Sequence, residues 1–389
     1  MSDPNDPLIS PKARVMRLVR HSIESGDLAP GDPIPSEMHL AEYLGVTRAT
    51  VRSAFDLLEV EGLVRVQGKG RVVAGVQQPA GAAAAPPPAV LIVNGHSGPQ
   101  PSYHRSPAWS IHAQGTLETR LRAAGFTPKP LPWSAVHGEF ARPPSEQPVG
   151  MVLLCDGGID HELMRTIEHY GRAPAVVYAA DRDEPLAQGM DTVAVDHGFG
   201  GAALVDWLVG QGRSHLHRVW FQVWNGATLP LWLARRDDGM RNAAERHGLV
   251  LHPTITVPWL DSPPASELFA HFWQLGVLAL AGALAPVVLR GKPCDSLLML
   301  HDAGALQAWS ALAHLGGDHA GRLLVTGHDA LWDEAPERPL QARAPSATIA
   351  RDNIAVGNAL ADLILARLGG TAPPTRQTRV IIPRLVIPG

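Results

Sequence analysis

The residues best placed to do chemistry stand between Thr47 and Lys69. Thr47, Arg48, Thr50 and Arg52 fall within six consecutive positions. Arginine forks onto guanine or phosphate, and hydroxyls reach phosphates, so this cluster is a candidate nucleic-acid surface. Arg65, Lys69 and Arg71 follow, around the small turn Gln67-Gly68-Lys69-Gly70. On composition alone a solvated helix face is the favoured reading of Arg48 and Arg52, because residues 1–75 are close to charge-balanced rather than basic. Other chemistries fail on spacing. Gly95-His96-Ser97-Gly98 follows a strand pattern, but a nucleophile elbow needs glycine two places after serine, where Pro99 stands. His215 and His217 have no Cys or carboxylate at standard ligand spacing, so the histidines are read as surface or capping residues and no metal site is expected. Lys12, Lys69, Lys129 and Lys292 are the lysines of the chain, and none has a Schiff-base setting. No paired carboxylates or nucleophile with a base emerge, so neither an enzyme nor a cofactor is expected.

The elements that must position the cluster are legible. Ser36 precedes Glu37 and the apolar spacing Leu40, Ala41, Leu44, which is a capped helix start. Gly45 ends that helix and Thr47 caps the next. Val51, Ala54, Phe55 and Leu58 make one stripe apolar, while Thr47, Arg48, Thr50 and Arg52 occupy the other. Two short helices around a glycine turn predict a helix-turn-helix. Gly62 closes the second helix, and Leu63–Val66 and Arg71–Val73 predict a hairpin wing with a small cationic tip. A first helix over residues 12–25, with Val15, Leu18, Val19 and Ile23 on one face, supports the pair.

The stretch closely resembles the winged-helix DNA-binding domain of the GntR family of bacterial transcription regulators. Its carriers are Pro35-Ser36-Glu37, Leu40-Ala41, Leu44 to Arg48, Thr50-Val51-Arg52, Leu58, Glu61-Gly62-Leu63 and Gly68-Lys69-Gly70. The resemblance implies DNA contacts by Thr47, Arg48, Thr50 and Arg52 on the recognition helix and by Gly68 and Lys69 on the wing. Met38 departs from the family, which often has Arg directly after the Pro-Ser-Glu triplet.

A chain of 389 residues that is 45% hydrophobic predicts two or three globular units with real cores. The net charge of −4 excludes a general polyanion binder. Cys155 and Cys294 cannot make a disulfide framework. The N-terminus has acidic residues and no apolar signal region, so a cytoplasmic protein is expected. Phe272–Leu289 is nearly all apolar but holds Gln274, Gly276, Gly282 and Pro286, and a buried helix accounts for it better than a membrane span. Residues 76–89 are an Ala/Pro-rich linker stiffened by three consecutive prolines. The expected division is therefore a DNA-binding unit over 1–75, this linker, and a second unit over 90–389.

Beyond the linker, apolar strands alternate with helices. Strands are expected at 89–93, 149–155, 174–178, 192–195, 218–223, 296–300, 322–326 and 379–387. Helices are expected at 109–124, 161–171, 199–210, 231–247, 266–289, 303–315 and 354–368. This order predicts parallel sheets covered by helices, two such units in series, with ligands outside the carboxyl ends of the strands.

From about Val90 to Pro388 the chain resembles the ligand-binding domain of the LacI/GalR family, itself similar to periplasmic sugar-binding proteins. The carriers are Val195-Asp196 with Gly200-Gly201, Arg236 to Met240, Asp295-Ser296-Leu297 with His301-Asp302 and Ala305, Gly327-His328-Asp329, and Ile349 to Gly357. The implied fold is an N-terminal winged helix-turn-helix (α+β) followed by an α/β periplasmic-binding-protein-like domain of two parallel-sheet subdomains, an architecture known from arabinose-type repressors. The resemblance places Trp109, Arg236, His301, Asp302, Asp329 and Arg351 around an effector cleft. Arg and Asp satisfy vicinal sugar hydroxyls, and Trp offers a stacking face. His301, His328 and Arg351 stand where the family usually has Asn, an aromatic and Gln, and Asp181 comes one step late. Alternatives remain open: Arg236 as a structural partner of Asp237 or Asp238, Asp302 as a helix cap, and Trp220, Trp224 and Trp232 as core.

Together these resemblances imply a ligand-responsive transcription regulator, a repressor. It is expected to bind near-palindromic operator DNA as a homodimer and to take a carbohydrate effector. The rival readings are an enzyme or solute-binding module fused to a DNA-binding domain, and a ligand-independent DNA binder with a degenerate cleft.

Overall fold

A computed structural model describes residues 11–24, 28, 31–68, 70–74, 87–94, 108–155, 164–165, 167, 173–187, 189–222, 229–249, 251–258, 269–289, 293–335 and 337–388. Lys69, Trp224, the Gly95–Gly98 motif, most of the linker and most of the helix expected over 161–171 lie outside the described residues. The chain divides into two compact units, Met1–Pro86 and Pro87–Gly389.

In the first unit, α1 (Pro11–Glu24), α2 (Glu37–Leu44) and α3 (Arg48–Val60) precede the antiparallel hairpin of β1 (Val64–Gln67) and β2 (Gly70–Val73). Thr47 caps α3, its hydroxyl accepting from the Thr50 amide at 3.1 Å. The Ser36 hydroxyl accepts from the His39 amide at 3.2 Å at the start of α2. Gly45 and Gly62 take the left-handed conformations that end the two helices. Val15, Val19, Leu40, Leu44, Val51, Phe55, Leu58, Val64 and Val73 form one core, so the apolar stripes of the three helices and the hairpin meet.

The second unit is built on two parallel sheets. The first has six strands in the order β13-β7-β6-β5-β3-β4: β3 (Ala89–Asn94), β4 (Thr127–Pro132), β5 (Gly150–Leu154), β6 (Ala175–Tyr178), β7 (Asp191–Val195) and β13 (Thr378–Ile381). Val90 and Ile92 face α4 (Ala108–Ala123) and α11 (Asn353–Leu368), while Leu91 and Val93 pack toward α5 (Val136–Phe140). Burial on both faces is why these strands read as unbroken apolar runs. The second sheet has the order β11-β10-β8-β9: β8 (Leu216–Gln222), β9 (Ile255–Pro258), β10 (Ser296–Met299) and β11 (Leu324–Thr326). Its core also takes in α6 (His197–Gly210), α7 (Leu231–Arg246), α8 (Phe269–Val288) and α9 (Asp302–His314). A short helix α10 (His319–Arg322) precedes β11, and β12 (Thr348–Ala350) pairs antiparallel with β14 (Arg384–Val386).

Four features depart from the sequence expectation. The sheets are not strictly in series, because β13 returns to pair with β7. The single strand expected over 379–387 is two, β13 and β14, with Pro383 between them. The strand β4 was unforeseen because Pro128, Pro130 and Pro132 interrupt it. It is an edge strand, and the Thr127 amide just before the first proline donates to the Pro88 carbonyl at 3.0 Å, so prolines at alternate positions, with their nitrogens turned away from β3, cost the ladder nothing. Finally, α8 is long and apolar enough to cross a membrane by length and composition, but it is buried on one face only. Trp273, Val277, Leu280, Ala281 and Leu284 enter the second core, whereas Leu275 and Leu278 are exposed.

Candidate functional site

In the first unit α3 displays Thr47, Arg48 and Arg52 to solvent, with Thr50 half-buried, and Gly68 sits exposed at the wing tip in a left-handed conformation. The Arg52 guanidinium donates to the Glu37 carboxylate at 2.9 and 3.3 Å. That bond, working against burial and with help from Arg71, holds Glu37 below the ordinary carboxylate range. Arg71 spans Glu37 at 3.1 Å and Asp56 at 3.0 Å and lies over the Phe55 ring at 5.0 Å. Arg71 is therefore a clamp between the wing and helices α2 and α3, a role its sequence neighbours did not reveal. Met38 is exposed.

In the second unit a polar cluster forms where several strands end. His197 follows β7 and opens α6, whose cap is Asp196 accepting from the Phe199 amide at 2.9 Å. Its ring centroid lies 6.1 Å from Trp232 and 6.2 Å from His328. Trp232 and Arg236 come from α7, and the Arg236 guanidinium sits 4.9 Å from the Trp232 ring and donates to the Leu300 carbonyl at 2.5 Å. His301 ends the β10 connection, His328 and Asp329 follow β11, and Arg351 follows β12. Arg351 Nε donates to Asp329 at 2.7 Å. These are the carboxyl ends of strands, where open α/β sheets take ligands.

Burial dominates the titration of the cluster. It lowers His301 to about 4, and with the Arg236 cation it lowers His328 to about 3. Burial, Arg236 and Arg351 together press His197 well below its ordinary value. Burial works to raise Asp329, but Arg351 and His328 hold it well below the carboxylate range.

The helix α7 begins at Leu231, as expected, and puts Arg236 in its second turn. Its neighbour Asp237 is buried and accepts from Arg218 at 2.6 Å and from Arg241. The cap of α9 is His301, whose Nδ1 accepts from the Gly304 amide at 2.9 Å, and not Asp302. The Asp302 carboxylate turns inward, accepting from the Leu331 and Trp332 amides at 2.6 and 3.1 Å and from the Thr348 hydroxyl at 2.6 Å. Burial still pushes its carboxyl up to about 8.

The structure thus gathers Arg236, His301, Asp329 and Arg351, with Asp302 just behind them. Trp109 is the second residue of α4, and its side chain lies outside the described residues. Sequence reasoning passed over His197 and Phe221, the latter stacked on His301 at 5.5 Å. The signal for His197 was its place directly after a strand and its cap. Trp220 and Trp232 are buried, and the late Asp181 pairs with Arg235 at 3.1 Å.

The class these features define is a winged helix-turn-helix domain joined in one chain to an α/β domain of two parallel sheets. Residues 11–73 match the family described as "Bacterial regulatory proteins, gntR family". The HTH-type transcriptional repressor NagR of Bacillus subtilis is 41% identical over 61 residues, which is 15% of this chain and 25% of NagR. The chain thus spans about a quarter of that relative's length. The chain superimposes on a regulatory protein of the LacI family from Chloroflexus aggregans with a TM-score of 0.59 and 15% identity, covering 77% of this chain and 96% of that one. A transcriptional regulator CelR–cellobiose complex gives 0.58 and 16%, covering 91% and 99%. At such identities the likeness is one of fold. Residues 11–73 are a GntR-family helix-turn-helix domain, and the α/β domain has the periplasmic-binding-protein-like fold of LacI-type regulators.

Proposed function

We propose that the chain is a sequence-specific transcription regulator, a repressor, whose hold on operator DNA is set by a small effector. One observation carries this reading: a GntR-family helix-turn-helix domain precedes a LacI-type α/β domain in a single chain. Thr47, Arg48, Thr50, Arg52, Gly68 and Lys69 contact the operator. Trp109, Arg236, His301, Asp329 and Arg351 surround the effector, a sugar or sugar derivative, and Asp302 supports them by anchoring the 331–332 backbone. The regulator acts as a cytoplasmic homodimer on paired half-sites, and residues 76–89 link a DNA-binding unit over 1–75 to an effector unit over 90–389. Effector binding shifts DNA affinity only through differential affinity for two states of the dimer.

The test is selection of binding sites from random duplex DNA, followed by titration of the selected site with and without a carbohydrate panel. A palindromic site whose affinity responds to one sugar supports the reading. Absence of any sequence preference defeats it. Chemical turnover of the bound sugar favours the rival, an enzyme carrying a DNA-binding domain.

A further inference from the structure

The backbone crosses between the two parallel sheets at 196–197 after β7, at 351–352 after β12, and at 382–383 between β13 and β14. Side-chain contacts made away from these crossings decide how firmly the sheets are held face to face. Two groups of residues make such contacts.

The first is the segment that follows Asp329. Its backbone belongs to the second sheet, because the Leu331 and Trp332 amides donate to Asp302 at the head of α9 at 2.6 and 3.1 Å. Ala335 packs against the second core. Two side chains of the same segment reach the first sheet instead. Leu331 packs against the core that Ala113 and Leu117 of α4 share with β3. The Glu334 carboxylate accepts from His112 Nε2 on α4 at 2.8 Å.

The second is Arg235. Its helix α7 places Leu233 and Met240 in the second core, whereas its acceptors follow β6 of the first sheet. Arg235 Nε donates to Asp181 at 3.1 Å, and a terminal nitrogen donates to Asp183 at 3.3 Å. Asp181 is buried and also accepts from the Asp183 amide at 2.9 Å, so the acceptor is fixed independently of Arg235. Partly exposed ion pairs shift an equilibrium by about fivefold at most. Two of them, with the Leu331 contact, act together.

We infer that the 331–334 segment is a strap and Arg235 a clasp, which hold the two sheets closed over the polar cluster through the chain's own side chains. This rests on the two-state reading proposed above and adds the contacts that set the balance between the states.

The experiment is a double electron–electron resonance distance measurement on the full chain, without DNA or sugar. Spin labels go on exposed positions of α4 and α7, through Ala123→Cys and Glu245→Cys. Cys294→Ala removes the more accessible native thiol, and Cys155 is buried. Excess unlabelled chain keeps the labels of different molecules apart. The parent is expected to give one narrow distance. Arg235→Glu sets a carboxylate against Asp181 and Asp183, and the pair His112→Ala with Leu331→Ala cuts the strap. Each change is expected to raise a second, displaced distance population by about fivefold, and all three together by more. Arg235→Lys keeps the cation and should hold the parent distance. Circular dichroism of each variant reports folding, and Arg235→Gln replaces Arg235→Glu if the reversed charge unfolds the chain. A combined variant with the parent's distance distribution overturns the inference, whatever the DNA selection shows. A displaced population in a chain without sequence preference for DNA removes the regulator reading and leaves the strap standing.

Discussion

Gly198 and Gly239 bring α6 and α7 into backbone contact, because a methyl group on Gly239 would overlap the carbonyl of Gly198. A methyl on Gly201 would likewise overlap the Arg236 carbonyl. Gly201 and Gly239 set the distance between His197 at the head of α6 and Arg236 on α7. Gly239→Ala should therefore cost about 1–3 kcal/mol as an overpacked contact and should weaken any ligand held between the helices. Thermal melting with and without ligand checks both effects, and an unchanged melting temperature would show that the helices have room to spare.

Arg52 is an exposed cation already oriented by Glu37. Arg52→Ala should cost operator affinity about 1–3 kcal/mol, or about tenfold to a hundredfold, while ligand titrations of the effector unit stay as they were. Glu37→Gln should lose less, because it loosens the aim of Arg52 and Arg71 without removing a cation. Fluorescence anisotropy on the selected operator measures both, and equal affinity for wild type and Arg52→Ala would take Arg52 out of the interface.

Asp302 ties the head of α9 to the 331–332 backbone and to β12. Asp302→Ala leaves two amides and a hydroxyl buried without their acceptor, a loss of about 3 kcal/mol. Thr348→Val removes two bonds, the one donated to Asp302 and the one accepted from the Ala330 amide, and should cost about 2 kcal/mol. Urea unfolding of the α/β unit should rank the variants in that order. A neutral Asp302→Ala would mean that the anchor carries no stability.

His301 and His328 resist protonation in the folded state, with values lowered from 6.5 to about 4 and about 3. The unfolded chain takes up those protons near 6.5, so the stability contributed by the neutral rings is complete above that pH. It is lost as pH falls from 6.5 toward about 4 and about 3. Each ring contributes a slope of up to about 1.4 kcal/mol per pH unit in that window. Melting temperature should fall between about pH 7 and pH 5, and His328→Gln should fall less steeply; parallel profiles for the two proteins would contradict this.

The winged helix-turn-helix was legible nearly to the residue because its signals are local. Thr47 caps α3 through its own next turn, Gly45 and Gly62 end helices by their backbone freedom, and the apolar stripe of α3 has one period. The alternation of strands and helices was legible for the same reason. The edge strand β4 was not, since its prolines are tolerated only because its neighbour lies on one side.

What the sequence alone determined is therefore the kind of most elements and the GntR-family helix-turn-helix over residues 11–73, both properties of short windows. The tertiary structure decided which side chains share a site. His197, Arg236, His301, His328 and Arg351 come from five separate chain segments, and their meeting depends on glycine contacts and strand order that no local spacing encodes. It also decided that Arg71 clamps the wing, and that Asp302 faces the interior while His301 caps α9. For Arg71 and Asp302 the partners are far apart in sequence, and only folding fixes which of several chemically equivalent partners a side chain reaches.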